Sequence, residues 1–250
     1  MIGVKRYPGL GGQLQKLSSY IDLANSKLGS KVMAVSDEFF AAASNMPNPK
    51  PSVREANMFI ETGAWFDDHD WAIIQLAFAG SIVGFDIDTA HFTGYHALVA
   101  SVDVAFVLPK VELQLTSKHY LILNNPDNTP YNFVRISQYP DGGIARFRVY
   151  GSILPMSPGD KNELVDLAYI GNGACVFVSS NDYFSPASSV VLPTRGENMG
   201  DGWETKHSRT PGHIDYLIVE LGAPVAPTDK VFTHVRATLY PDGGFKRLRV

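Results

Sequence analysis

The chain has 250 residues, of which 45% are hydrophobic and 18% charged, with a formal net charge of -4 and a single cysteine. That length supports a sizeable core in one large or two small domains. The acidic balance argues against nucleic acid or an anionic membrane as partner, and a small molecule is the natural ligand.

Residues 1–19 read as a leader: Met1 to Gly12 is glycine-rich and unpatterned, and no apolar h-region follows Lys5 and Arg6. No run reaches the roughly 18 apolar residues that a membrane helix needs. A cytoplasmic location follows, with the peroxisome as the alternative. From Leu14 to Leu28 the apolar residues fall at helical spacing. Asp22-Leu23-Ala24 then opens a segment that returns as Asp166-Leu167-Ala168. The two copies stay in register. Lys31 to Ser36 answers Cys175 to Ser180, and Asp37-Glu38-Phe39-Phe40 answers Asn181-Asp182-Tyr183-Phe184, a strand followed by an aromatic turn. Cys175, within the apolar run Ala174 to Val178, reads as a buried, inert thiol.

The Pro-rich run Met46 to Ser52 is a loop, matched by Leu192-Pro193-Thr194-Arg195-Gly196. A buried strand follows in each copy, Asp70 to Leu76 and Asp215 to Leu221. Copy one adds strands over Ile82 to Asp88, Val99 to Val107, Val111 to Leu115 and His119 to Leu123. Each copy closes on the same motif, Tyr139-Pro140-Asp141-Gly142-Gly143 and Tyr240-Pro241-Asp242-Gly243-Gly244, read as the turn of a hairpin. Arg146 and Arg148, like Arg247 and Arg249, alternate along the outgoing strand and so share one face. A solvated face is the ordinary reading, with an anion or partner site as the alternative.

Short strands, frequent turns and little helix predict an all-β protein of two repeated jelly-roll (galactose-binding-like) β-sandwich domains. The first spans 20–151, a linker 152–163, and the second 164–250. The densest polar stretch is Asp201-Gly202-Trp203-Glu204-Thr205-Lys206-His207-Ser208-Arg209, with Pro211-Gly212-His213 just beyond it. Acids, bases and an aromatic in a loop on a rigid scaffold make a candidate site. A solvated turn pinned by Trp203 is the plain alternative.

These motifs, with Asp88-Thr89-Ala90-His91-Phe92-Thr93-Gly94, resemble the allantoicase family over about residues 20 to 250. The resemblance implies hydrolysis of allantoate to ureidoglycolate and urea, and a homo-oligomer. The residue types suit that substrate. Lys206 and Arg209 can hold its carboxylate, while Asp201 and Glu204 can accept from a ureido group or position the water. His91 and His213 are the candidates for proton transfer to the leaving urea, since imidazole titrates near neutral pH. Glu204, His91 and His213 are thus the catalytic candidates, and Asp201, Trp203, Lys206, Arg209, Asp88 and Thr93 the substrate-binding ones. No cofactor is required by the sequence; His91 with Asp88 leaves a divalent metal open.

The two copies differ. Copy one runs Gly63-Ala64-Trp65-Phe66-Asp67 into Asp68-His69-Asp70-Trp71 without the Asp-Gly-Trp-Glu-Thr loop. Copy two passes from Gly222 to His234 without a His-Phe-Thr-Gly segment. The resemblance therefore implies one site assembled from the loop of copy two and the histidine segment of copy one. A non-catalytic binding module for a carbohydrate or protein partner is the alternative function. The shortness of copy two predicts segments missing near Asp67/Asp68, Val107/Leu108 and between Ala223 and Thr233.

Overall fold

The computed structural model describes residues 4–6, 17, 20–38, 41–53, 60–62, 69–103, 108–155, 164–196, 198–225 and 229–250. The expected junctions Asp67/Asp68 and Val107/Leu108 lie outside these residues, as does most of the leader. The chain divides into two units, Met1–Ile153 and Leu154–Val250, a boundary inside the expected linker.

In unit 1 the strands are β1 Val4–Arg6, β2 Ile21–Asp22, β3 Lys31–Val35, β4 Ile60–Thr62, β5 Asp70–Asp88, β6 Val99–Asp103, β7 Leu108–Glu112, β8 Lys118–Leu123, β9 Tyr131–Tyr139, β10 Gly142–Ile144 and β11 Arg146–Ile153. Unit 2 contains β12 Cys175–Ser179, β13 Trp203–Glu204, β14 Asp215–Val225, β15 Phe232–Leu239 and β16 Gly244–Phe245. The helical spacing expected over Leu14 to Leu28 does not hold in the described part beyond Leu17. Ile21–Asp22 is strand and Ser26–Leu28 a single 3-10 turn, because Asn25 caps the Lys27 N–H and Gly29, at φ 111°, ends the turn at once.

Unit 1 is organised on β5, which joins in one 19-residue strand the two runs that the sequence separates. Its first half, Asp70 to Gln75, lies between β3 and β9. Its second half, Gly84 to Asp88, lies between β8 and β11. One strand thus serves two sets of partners, as the curl of a sandwich requires. Phe85 and Ile87 on this half, with Leu121 of β8 and Phe147 and Val149 of β11 directly opposite, are fully buried, each large side chain contributing about 1.5–3 kcal/mol.

The hairpin reading of the Tyr-Pro-Asp-Gly-Gly motifs is corrected by this pairing. β9 and β11 flank the first motif but do not pair with each other; each pairs with a different half of β5. The motif is an arch between strands that pair with different halves of β5, and its short strand β10 takes β4 as partner, as β16 takes β13 in unit 2. Both Tyr–Pro bonds are cis, and Gly142 and Gly243 adopt φ 121° and 136°, where a Cβ would be strained.

The arginines after each arch turn their guanidinium groups onto the preceding loop, although Arg249 stays exposed. Arg146 is 2% exposed and donates to the carbonyls of Lys50 and Pro51, while Arg148 donates to those of Met46 and Asn48. Arg247 and Arg249 treat the second loop alike, at Thr194, Leu192 and Pro193. A Pro-rich loop exposes carbonyls that no ladder satisfies, and a guanidinium carries enough donors to gather several. Arg148 also pairs with Asp22 at 3.4 Å, and Arg249 with Asp166 at 3.0 Å. Those two aspartates open their repeats, so each copy is closed on its own beginning.

Cys175 departs from its expected burial. It is exposed on β12, with Sγ 3.5 Å from Glu220 Oε2. Local desolvation, and then the Glu220 carboxylate, push its thiol up and keep it protonated. Val176 takes the core side instead, opposite Val219.

Candidate functional site

The polar loop of unit 2 is fixed at its centre. Trp203, 1% exposed, packs among Ala168, Val190, Val191, Leu217 and Val219, edge-on to Phe245, and its Nε1 donates to Asn181 O at 2.8 Å. The indole therefore anchors the loop to the core of unit 2. Thr205, fully buried, clamps the arch: its N donates to Gly243 O at 3.0 Å, and its Oγ1 accepts from Gly243 N at 3.2 Å. Between these anchors the strand alternation turns Glu204 away from Trp203, where it is half-buried.

His213 and Asp215 stand beside this strand. His213 Nε2 lies 3.2 Å from Asp215 Oδ2, while Ser180 Oγ donates to Asp215 Oδ1 at 2.6 Å. Burial works to raise the Asp215 carboxyl, but hydrogen bonds from Ser180, Thr205 and His213 outweigh it and hold it below its ordinary value. A buried, ionised Asp215 thus orients a His213 that is 30% exposed. Asn181 completes the support. Its Oδ1 accepts from Lys206 N at 3.2 Å and from Tyr183 N at 3.1 Å.

The remaining loop residues form a charged rim. Lys206, His207 and Arg209 are exposed, and Lys206 Nζ lies 5.5 Å from the centre of the Tyr183 ring. His207 Nδ1 is 3.0 Å from Asp242 Oδ1, and Ser208 N donates to the other oxygen at 2.7 Å. Those bonds, Ser208 first and then His207, hold Asp242 below its ordinary value. Asp201, half-buried, accepts from Asn198 N through Oδ2 and gives its carbonyl to Arg247.

Asp88, His91 and Thr93 belong to unit 1. Asp88 is 3% exposed, accepting from Ala90 N at 2.7 Å and facing Lys118 Nζ at 3.9 Å. His91, at φ 73°, sets Nε2 3.0 Å from Ser52 O, and Thr93 is exposed. Among the described residues no group of three or more His, Cys, Asp or Glu side chains is placed to hold a metal ion. Nor is any helix among them long and apolar enough to cross a membrane.

Sequence reasoning missed Asp215, Asn181 and Asp242 as supports of the site. Asp215 lies two residues from His213 and opens a strand, a signal that reads equally well as a turn residue. The missing loop of copy one is also refined. Ile60, Glu61 and Thr62 pair with Ile144, Gly143 and Gly142 as Trp203 and Glu204 pair with Phe245 and Gly244. The register makes Glu61 the counterpart of Glu204, although no Asp-Gly-Trp precedes it.

Two repeated all-β sandwich units, with a polar loop held on the second arch, define a duplicated β-sandwich protein. The model of the allantoicase repeat matches residues 21–107, 105–154 and 165–228. This chain belongs to the allantoicase family. A probable allantoicase of Schizosaccharomyces pombe is 40% identical, across 82% of this chain and 67% of the relative. The allantoicase of Neurospora crassa is 34% identical, across 93% of this chain and 91% of its own length. That alignment runs to 322 positions against a chain of 250 residues, so the relative carries internal segments that this chain lacks. The crystal structure of allantoicase from Saccharomyces cerevisiae superposes with a TM-score of 0.81 at 29% identity, over 99% of each chain.

Proposed function

We propose that this protein is an allantoicase, hydrolysing allantoate to ureidoglycolate and urea. The observation that carries the reading is the loop Asp201–Arg209, folded onto the second arch of a chain that matches its family in both repeats. Water attacks the central carbon of allantoate; a C–O bond forms, the C–N bond to one ureido group breaks, and the leaving nitrogen takes a proton. Glu204, an acceptor at the edge of the rim, receives the proton of the attacking water. His213, oriented by Asp215, supplies the proton to urea. Lys206 and Arg209 hold the substrate carboxylate, and Asp201 accepts from a ureido N–H. His91 is the second proton-transfer candidate, and Thr93 a further candidate for a polar contact with substrate.

The protein acts as a homo-oligomer in the cytoplasm. Its relatives favour the enzyme over a non-catalytic binding module, and no carbohydrate or protein partner is invoked. Incubation with allantoate and assay of released urea tests the reading. Urea release that disappears in Glu204→Gln is the expected result. A folded sample that releases none overturns it.

A further inference from the structure

In unit 1, β9 is paired on both edges, by β5 and by β6, with Ser101 opposite Ser137 and Val102 opposite Ile136. Its repeat counterpart β15 pairs with β14 alone among the described residues of unit 2. Burial follows the pairing. Val134, Ile136 and Gln138 are at most 4% exposed, whereas their counterparts Val235, Ala237 and Leu239 remain partly open. The free edge is lightly protected, with Arg236 as its one fixed charge. β7, which ends the unit 1 sheet beyond β6, carries Pro109, Lys110 and Glu112, while β15 reads Phe-Thr-His-Val-Arg-Ala-Thr-Leu, with neither proline, lysine nor acid. Such an edge is a template for another strand.

We infer that the open edge of β15 pairs antiparallel with β15 of a second copy of this chain. The sequence is self-complementary in that arrangement. Residues directly opposite must share a face, which restricts the two-fold axis to a residue position. An axis at Arg236 sets two guanidinium groups against each other. An axis at Ala237 sets Val235 against Leu239 on the core side and Arg236 against Thr238 on the outer side, with no like charges opposed. The inference rests on the reading of the chain as a homo-oligomer, and it assigns the surface.

Two substitutions on the outer face test this without touching the core. Thr238→Lys puts a lysine against the partner's Arg236 twice over and should weaken the dimer about tenfold or more; Thr238→Glu creates two opposite-charge pairs and should tighten it by a comparable factor. Light scattering over a concentration series reads both. In a Cys175→Ser background, Ala237→Cys should cross-link across the axis on oxidation, whereas Glu220→Cys on β14 should not. A dimer indifferent to residue 238 and not cross-linked through residue 237 overturns the inference while leaving the oligomer standing. A chain that stays monomeric, whether its β15 edge is bare or taken by a segment of another protein, overturns both.

Discussion

His213 Nε2 lies 3.2 Å from a carboxylate, Asp215 Oδ2, that is itself 1% exposed and already bonded to Ser180. The pair joins a solvent-facing imidazole to the interior of unit 2, so its members differ in what their loss removes. Asp215→Ala strands the donors of Ser180 and Asn181 and should cost roughly 3 kcal/mol. His213→Gln should leave melting nearly unchanged and lower kcat about 100-fold. Denaturant curves beside urea-release kinetics separate the two. Equal stability losses would assign His213 a structural role.

The same carboxylate sets a pH dependence. Its folded pKa lies below its unfolded value, so its stabilisation is fully present above about pH 4 and is lost as pH falls through the folded value. Asp215→Asn should therefore flatten the acid limb of the stability profile. Thermal melts from about pH 6 down to 3 in both proteins measure it, and parallel profiles would contradict the assignment.

Glu204 sits half-buried beside an anchored tryptophan, in a strand held by backbone pairing. Glu204→Gln keeps shape and backbone bonds, and should shift the melting temperature by less than about 2 °C while lowering turnover by about 100-fold or more. Turnover within about twofold of wild type would remove Glu204 from the chemistry.

Asp86 behaves in the opposite sense to Asp215. It is 6% exposed on β5, its Oδ1 has no hydrogen-bond partner, and burial, then the neighbouring Asp88, push its carboxyl up to about 7 despite Lys118 and Arg148. Asp22 on β2, across β11 from β5, is pushed the same way, to about 6, by burial against the pull of Arg148. A folded pKa above the unfolded one means that stability declines as pH rises from about 4 to 7. Asp86→Asn should raise stability by roughly 1–3 kcal/mol at pH 8 and by little at about pH 4. A destabilised variant at pH 8 would refute this.

Trp203→Ala should cost about 3–5 kcal/mol, because a fully buried indole leaves a cavity and strips Asn181 O of its donor. Activity should fall with folded fraction, so rates corrected for that fraction should differ from wild type far less than those of Glu204→Gln. A stable but inactive variant would assign the indole to substrate contact.

The sequence by itself determined the duplication, the strands and the loop. Each is local: alternation marks a strand, Pro and Gly mark its ends, and a repeated motif declares itself at any distance. The pairing of Asp22 with Arg148 and of Asp166 with Arg249 could be anticipated only as two matching sets of residues. Tertiary structure decided what those sets touch. The Tyr-Pro-Asp-Gly-Gly turns read as hairpins because a turn between two apolar strands looks the same whether its strands pair or arch to different partners. The alternating arginines read as a solvated face because alternation tells which residues share a side, not which side meets water. Trp203, placed by sequence among polar neighbours, was drawn into the core because burying an indole outweighs the polarity of the residues around it. The open edge of β15 emerged only from comparing two repeats in three dimensions, since a strand carries no local mark of a missing neighbour.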